Sequence, residues 1–519
     1  MDLYLEMRKR KISYLIIVLA LMTAIYHQSL FLSWTSDDAF ISYRHAENLS
    51  RGKGLVFNPG ERVEGFSNFL WTLVLALFSF IGLSPLWVSK TISFCFSLLI
   101  IFFTYKTAIA YGLDKSASSI CSLILAFSSS LAYYAMSGLE TVFYSFLLLL
   151  AVFINKRYEE EPTLKYFASL YVILLLISLT RPEGLLFLLV SLLYFPIINL
   201  FKTGIKLKKI LIAQISFFSV YALFIGLRMW YYSDIFPNTF YAKPQGTFGE
   251  SGYSVLFSNL SNSLLSGSFL LIPLPFLLLR KKYMYRNFFP LMFCVAQLFF
   301  MSYAGDWMAF GRFFFPILPI VIILFFSSLS SVRLTFTTSK SKIFHPLLYI
   351  IILFIFSASN AYQTERTLTS QDEFPFTVMN SSQLVHLGKW LKQNFPPETV
   401  ISLRRQGAIP YYSEMKSIDF LGLTEKNIAE IIYREKDIQK RSLRSAEYIF
   451  NLKPDIIILF SFKSDFEGWI LNDSFPEDKL SYLELTIYNC AKGRGYKHMK
   501  YICVGKTEKA HILVSSEPM

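Results

Sequence analysis

Residues 34–71 read WTSDDAFISYRHAENLSRGKGLVFNPGERVEGFSNFLW and follow directly on the first long apolar run of the chain, 12–33. Two adjacent carboxylates, Asp37 and Asp38, stand near the front. Tyr43, Arg44, His45 and Glu47 come next at helical spacing. A turn-rich patch of Gly52, Gly54, Asn58, Pro59 and Gly60 follows, and the stretch closes on Arg62, Glu64, Asn68 and Trp71. One of Ser36, Asp37 and Asp38 suits the N-cap of a helix starting at Ala39. A cap accounts for one carboxylate of the pair. The other, with the Arg, Glu, Asn and Gly behind it, reads as a functional cluster at a membrane surface.

Around this stretch the chain is oily. Of its 519 residues 54% are hydrophobic, and the 17% that are charged fall below the roughly 25% of soluble domains. Mean hydropathy is +0.44. This composition gives an integral membrane protein with a smaller soluble part. The net charge of +14 reflects basic cytoplasmic loops rather than nucleic-acid binding. The run 12–33 behind MRKRK is too long for a signal-peptide core and lacks a small-residue cleavage site, so it reads as a retained first span. With MRKRK in the cytoplasm, the basic loops 105–116, 155–165, 201–209, 280–286 and 332–342 share that side. Parity then makes 69–84 a re-entrant or interfacial segment, and it leaves about 11 transmembrane helices ending at residue 360 with the next residues outside. The expectation is therefore a transmembrane domain over 1–360, with 34–71 as its first outer loop, and an extracytoplasmic α/β domain over 361–519.

In that tail TERTLTSQDEF reads as a linker, VHLGKWLKQNF as a helix and ETVISL as a strand. PYYSEMKSIDFLGL reads as a turn and a strand, PDIIILF as a buried strand, and IYNCAKGRGYKHMKYICVGK as a hairpin. Cys490 and Cys503 flank the hairpin, where an oxidising compartment allows a disulfide. Cysteine spacing offers no metal site.

Four further loops surface on the same side as the first. SGLET carries Glu140, TRPEG carries Arg181 and Glu183, FPNTFYAKPQG carries Asn238, Tyr241 and Lys243, and YAGDWMAFGRFFFP carries Asp306, Trp307 and Arg312. Singly, the acids fit helix dipoles, the arginines fit snorkelling and Trp307 fits an aromatic belt. Repeated over five loops, the pattern reads as a shared cavity. A lipid phosphate would need cations, and Arg44, Arg181, Lys243 and Arg312 are the available ones. An attacking hydroxyl needs a base, for which Asp37 or Asp38 is the natural choice. Nearby carboxylates also stabilise a sugar oxocarbenium ion.

DDAFISYRHAENL, GLVFNPGERVEG and NFLW, with SGLE, TRPEG, PNTFYAK, GDWM, RFFFP and the tail's GAIPYYSEMKSIDFLGLT, together resemble the polytopic glycosyltransferases of the GT-C superfamily. The likeness extends to bacterial terminal arabinofuranosyltransferases. The resemblance implies a multi-pass bacterial plasma-membrane enzyme that uses a polyprenyl-phosphate-linked sugar on the outer face, with inversion. It implies an acidic pair, here Asp37 and Asp38, one of which is the base, and a glycan or lipid acceptor. No cofactor is required. A divalent cation is admissible, with Asp37, Asp38 and Glu64 as oxygen donors. Arg404-Arg405-Gln406 before Gly407 is more basic than expected for an acceptor-binding tail. Two other classes compete: a flippase of lipid-linked sugars, which would carry charges in mid-span and repeated halves, and a surface-polysaccharide polymerase or ligase, which would carry a large late outer loop.

Overall fold

A computed structural model describes residues 2–201, 207–243, 252–279, 281–306, 308–333, 341–369, 382–462, 480–503 and 508–515. The chain forms two compact units. The first comprises Met1–Ser33, Ser89–Phe224 and Thr247–Leu368; the second comprises Trp34–Val88, Ile225–Gly246 and Thr369–Met519.

The first unit is helical. Among the described residues four helices are long and apolar enough to cross a bilayer: Arg10–Ser29, Pro85–Ala110, Thr141–Glu160 and Leu207–Tyr232. A fifth candidate is the pair Lys115–Ala126 and Ser129–Met136, bent by 55°. The bend has a local cause. Ser128 stops the ladder and its hydroxyl caps the second piece through Leu131 N–H, at 3.3 Å. Leu164–Thr180, Gly184–Ile197 and Phe315–Ser330 are apolar but shorter. The protein is thus a multi-pass membrane protein, and several of the runs counted as spans in the sequence are short or broken helices. Of the expected linker 364–374, residues 370–374 lie outside the described residues, and residues 364–369 continue the helix Ser341–Thr369. They contain no Gly or Pro to stop it, and their polar groups have partners. Thr364 Oγ1 lies 2.8 Å from His27 Nε2. Gln363 Oε1 accepts from Ser129 Oγ at 2.8 Å and from Ser266 Oγ at 3.1 Å.

The second unit joins the first loop to the tail. The helix Phe69–Phe80 has 12 residues, about 18 Å at 1.5 Å per residue, too short to cross. The tail is built on a five-stranded sheet: β1 (Val400–Leu403), β2 (Lys416–Asp419), β3 (Ile456–Phe462), β4 (Lys497–Cys503) and β5 (Glu508–Val514), in the order β2-β1-β3-β5-β4. β1 pairs in parallel with both β2 and β3, with Ser402 opposite Ile418 on one side and Ile457 on the other; β5 is antiparallel to β3 and β4. The apolar residues Ile418, Phe420, Ile428, Ile449, Ile457, Leu459 and Ile487 form its core.

The expected hairpin over IYNCAKGRGYKHMKYICVGK is not formed. Its first half ends the helix Tyr482–Lys492, and the hairpin is β4–β5 instead. The cause is a capping serine. Ser481 Oγ accepts from Glu484 N–H and donates to the Glu484 carboxylate at 2.6 Å, which starts a helix where alternation suggested a strand. Cys490 on that helix is a free thiol.

Candidate active site

The helix Ala39–Ser50 carries the motif of the first loop, and its polar residues bind the tail. Arg44 is buried. Its Nε donates to Phe57 O at 2.9 Å, Nη1 to Pro410 O at 2.5 Å, and Nη2 to Met415 O at 2.7 Å and Asn58 Oδ1 at 3.4 Å. The guanidinium also sits 4.5 Å from the Phe57 ring centroid. Burial lowers its pKa to about 10, against the pull of Glu414 and Glu61. The sequence offered Arg44 as a phosphate-binding cation; these contacts make it a brace. Asn58 Nδ2 donates to Ser417 O at 2.9 Å, and its Oδ1 accepts from Ser417 N–H at 3.2 Å. The Tyr411 hydroxyl donates to Glu47.

Neither aspartate caps the helix with its side chain. Asp38 is the N-cap by position, but its φ of −57° and ψ of −26° are helical and its carboxylate makes no capping bond. Asp37 points instead to the tail, where Oδ1 accepts from Ala408 N–H at 2.7 Å. Burial raises the Asp37 pKa and the neighbouring Asp38 adds to the rise, while Arg405 and the Ala408 and Gly407 amides oppose it. Asp37 and Asp38 are both partly exposed, and among the described residues no hydrogen bond engages the Asp38 carboxylate.

Glu64 is buried and paired with Arg228, Oε2 to Nε at 2.6 Å. Burial lifts its pKa to about 7 despite Arg228, helped by Asp234. Arg228 lies at the edge of an apolar run and went unnoticed in the sequence, where a lone charge there was the available signal. Asn238 N–H donates to Glu64 O at 3.1 Å, and Asn238 Nδ2 to Gly422 O at 2.6 Å. Tyr241 packs edge-on against Tyr433, and Lys243 ends the short helix Asn238–Ala242 at the surface. Asp37, Asp38 and Glu64 do not gather as a three-ligand set. Among the described residues no group of three or more His, Cys, Asp or Glu side chains could hold a metal, and Glu64 is already matched by its arginine.

In the first unit three of the five predicted polar loops do meet. Arg181 Nε lies 2.6 Å from Glu183 Oε1, and Arg181 Nη1 lies 3.3 Å from Glu140 Oε1. Arg312 Nη2 reaches the same Glu140 oxygen at 3.4 Å. Arg181, Glu140 and Glu183 are buried. Burial works against the charge on Arg181, but Glu183 and Glu140 outweigh it and raise its pKa. Among the described residues, the buried donors Arg181 Nη1 and Arg312 Nε and the acceptor Glu183 Oε1 have no aligned hydrogen-bond partner. Asp306 has a structural task. Its Oδ1 accepts from Met308 N–H at 3.2 Å and its Oδ2 from Phe313 N–H at 3.0 Å, which folds the loop that delivers Arg312. Burial raises it to about 6 against those two amides and Arg312. The same loop turns through a left-handed Gly311, φ 62°, where a Cβ would meet Ser263. Trp307 lies outside the described residues.

ArnT from Cupriavidus metallidurans in the apo state superposes with a TM-score of 0.57 at 11% identity, covering 97% of this chain and 99% of that one. The Archaeoglobus fulgidus oligosaccharyltransferase in the apo form gives 0.56 at 12% identity, covering 94% and 79%. ArnT bound to undecaprenyl phosphate gives 0.54 at 11% identity, covering 97% and 99%. The chain thus shares its overall fold with ArnT and with the archaeal oligosaccharyltransferase. A family model described as Domain of unknown function (DUF8728) matches residues 376–503, within the tail. No curated protein matches the chain by sequence.

Proposed function

We propose that this GT-C protein is an inverting glycosyltransferase that moves a sugar from a polyprenyl-phosphate donor to a glycan, lipid or protein acceptor on the outer face of a bacterial plasma membrane. The observation that carries the reading is the division of labour in the aspartate pair, on a fold shared with ArnT. Asp37 is tied to the Ala408 amide, whereas the carboxylate of the adjacent Asp38 has no hydrogen bond among the described residues. Asp38 is assigned as the base. It takes the proton of the acceptor hydroxyl as that oxygen attacks the anomeric carbon, and the bond from that carbon to the phosphate oxygen breaks. Polyprenyl phosphate leaves with the bonding electrons, so it gains one negative charge as Asp38 loses its own on protonation. Arg181 and Arg312 are assigned to the donor phosphate, since each keeps a buried donor atom with no aligned hydrogen-bond acceptor among the described residues; cations stabilise a leaving phosphate. Glu140 and Glu183 hold the two guanidiniums in place, and Arg44 holds the first loop.

The sugar and the acceptor are read best by experiment. Purified protein is incubated with a panel of polyprenyl-phosphate pentoses and hexoses and a cell-envelope acceptor fraction, and released lipid phosphate is scored. Acceptor-dependent release from at least one donor is expected. Transbilayer movement of intact donor without any release would favour a flippase and overturn the assignment.

A further inference from the structure

The turn that follows β1 is placed where a parallel sheet presents its chemistry. β1 lies between β2 and β3, all parallel, so the chain leaves its carboxyl end at a change of direction, the position at which α/β sheets build sites. That turn is Arg404-Arg405-Gln406-Gly407, and it leads into the helix Ala408–Ser413. Instead of opening to solvent, it closes on the first loop of the same unit. Ala408 N–H holds Asp37 Oδ1 at 2.7 Å. Gly407 lies so near that a Cβ there would overlap the Asp37 carbonyl oxygen and its carboxylate. Gln406 anchors the turn from below, its Nε2 donating to Leu403 O at 2.8 Å and its Oε1 accepting from Ser417 Oγ at 2.6 Å. The contact joins residues 371 positions apart, so the sequence of neither partner discloses it.

The geometry points to Gly407 and the Ala408 amide as the positioning element of the acidic pair: the tail domain locks Asp37 and thereby fixes where the adjacent Asp38 carboxylate stands. This rests on the assignment of Asp38 as base. Glycine is demanded here by close approach, since a Cβ would collide with the Asp37 carbonyl oxygen and with its Oδ1. The basic Arg405 serves the same end by placing positive charge near Asp37, opposing the effect of burial. The tail is then part of the catalytic apparatus in cis; of its basic lead-in, Arg405 serves Asp37, whereas Arg404 pairs with Glu484 at 3.4 Å.

Two variants test this. Gly407→Ala introduces the overlap. Ala408→Pro deletes the N–H at the first position of a helix, where proline is tolerated. Both are assayed as full-length protein in lipid nanodiscs, with limited proteolysis of the tail as the folding control. For a folded variant the inference expects kcat to fall 10- to 100-fold with donor KM within twofold of wild type. It also expects the pH dependence of kcat to move, because a displaced Asp37 changes the charge felt by its neighbour. Gly407→Ala combined with Asp37→Ala should lose little beyond Asp37→Ala alone. If Gly407→Ala fails to fold, Ala408→Pro carries the test. Wild-type kcat and pH profile in a folded variant, with Asp38→Asn inactive, overturn this inference and leave the glycosyltransferase assignment standing. An active Asp38→Asn overturns the assignment of the base itself.

Discussion

Arg44→Ala separates a brace from a ligand. The magnitude follows from what each acceptor retains. Phe57 O keeps Asn48 Nδ2 at 2.9 Å, and Pro410 O keeps Glu414 N–H at 3.1 Å, so neither is orphaned. Met415 O loses the guanidinium contact at 2.7 Å, and no other hydrogen bond to it is seen among the described residues. An orphaned buried carbonyl costs about 1–3 kcal/mol, and the lost charge-assisted bonds bring the total to about 3–5 kcal/mol. The loss falls between the first loop and the tail of one unit, so the readout is the rate at which a dilute protease cuts the tail, together with thermal unfolding in detergent. Arg44→Lys should recover only part, because an ammonium cannot span three carbonyls in one plane. An Arg44→Ala protein with wild-type protease resistance and melting, and a raised donor KM, would refute the brace and restore the phosphate-binding role read from the sequence.

Arg181→Ala and Arg312→Ala should each lower kcat/KM for the donor by about 10- to 1000-fold, with acceptor KM nearly unchanged; steady-state kinetics with each substrate varied in turn checks this. Glu64→Gln should change the pH dependence of stability. The Glu64 carboxyl titrates near 7 in the folded protein against an ordinary 4.5. Between those values the folded state holds a proton that the unfolded chain has released, so stability falls as pH rises from about 4.5 to 7 and levels off above. Removing the carboxyl should shallow that fall, measured as melting temperature against pH; an unchanged slope would count against the burial effect on Glu64.

The blocks that carried the sequence reading are the blocks that touch. DDAFISYRHAENL, GLVFNPGERVEG and GAIPYYSEMKSIDFLGLT supply Asp37, Arg44, Asn58, Ala408, Pro410 and Ser417, which bond to one another across the first loop and the tail. Residue type showed that these positions mattered. It could not show that Arg44 is spent on carbonyls, because a buried brace and a phosphate clamp use the same side chain. The tail strands over ETVISL and PDIIILF were legible from their apolar runs, whereas the helix Tyr482–Lys492 was missed because Ser481 and Glu484 outweigh the alternation that follows. In the first unit the meeting of Glu140, Arg181 and Arg312 was visible from loop parity. The break at Ser128 was not, since a serine inside an apolar run has no fixed meaning until its hydroxyl finds the next turn.

The most direct measurement is the rate of lipid-phosphate release in a single turnover, with donor bound and acceptor added, for wild type, Asp37→Asn and Asp38→Asn. Loss of a positioned base lowers such a rate by roughly 10²- to 10⁴-fold. The account predicts a loss of that size for Asp38→Asn with donor binding retained, and a smaller loss for Asp37→Asn. Equal, wild-type release by the Asp38→Asn protein would contradict it.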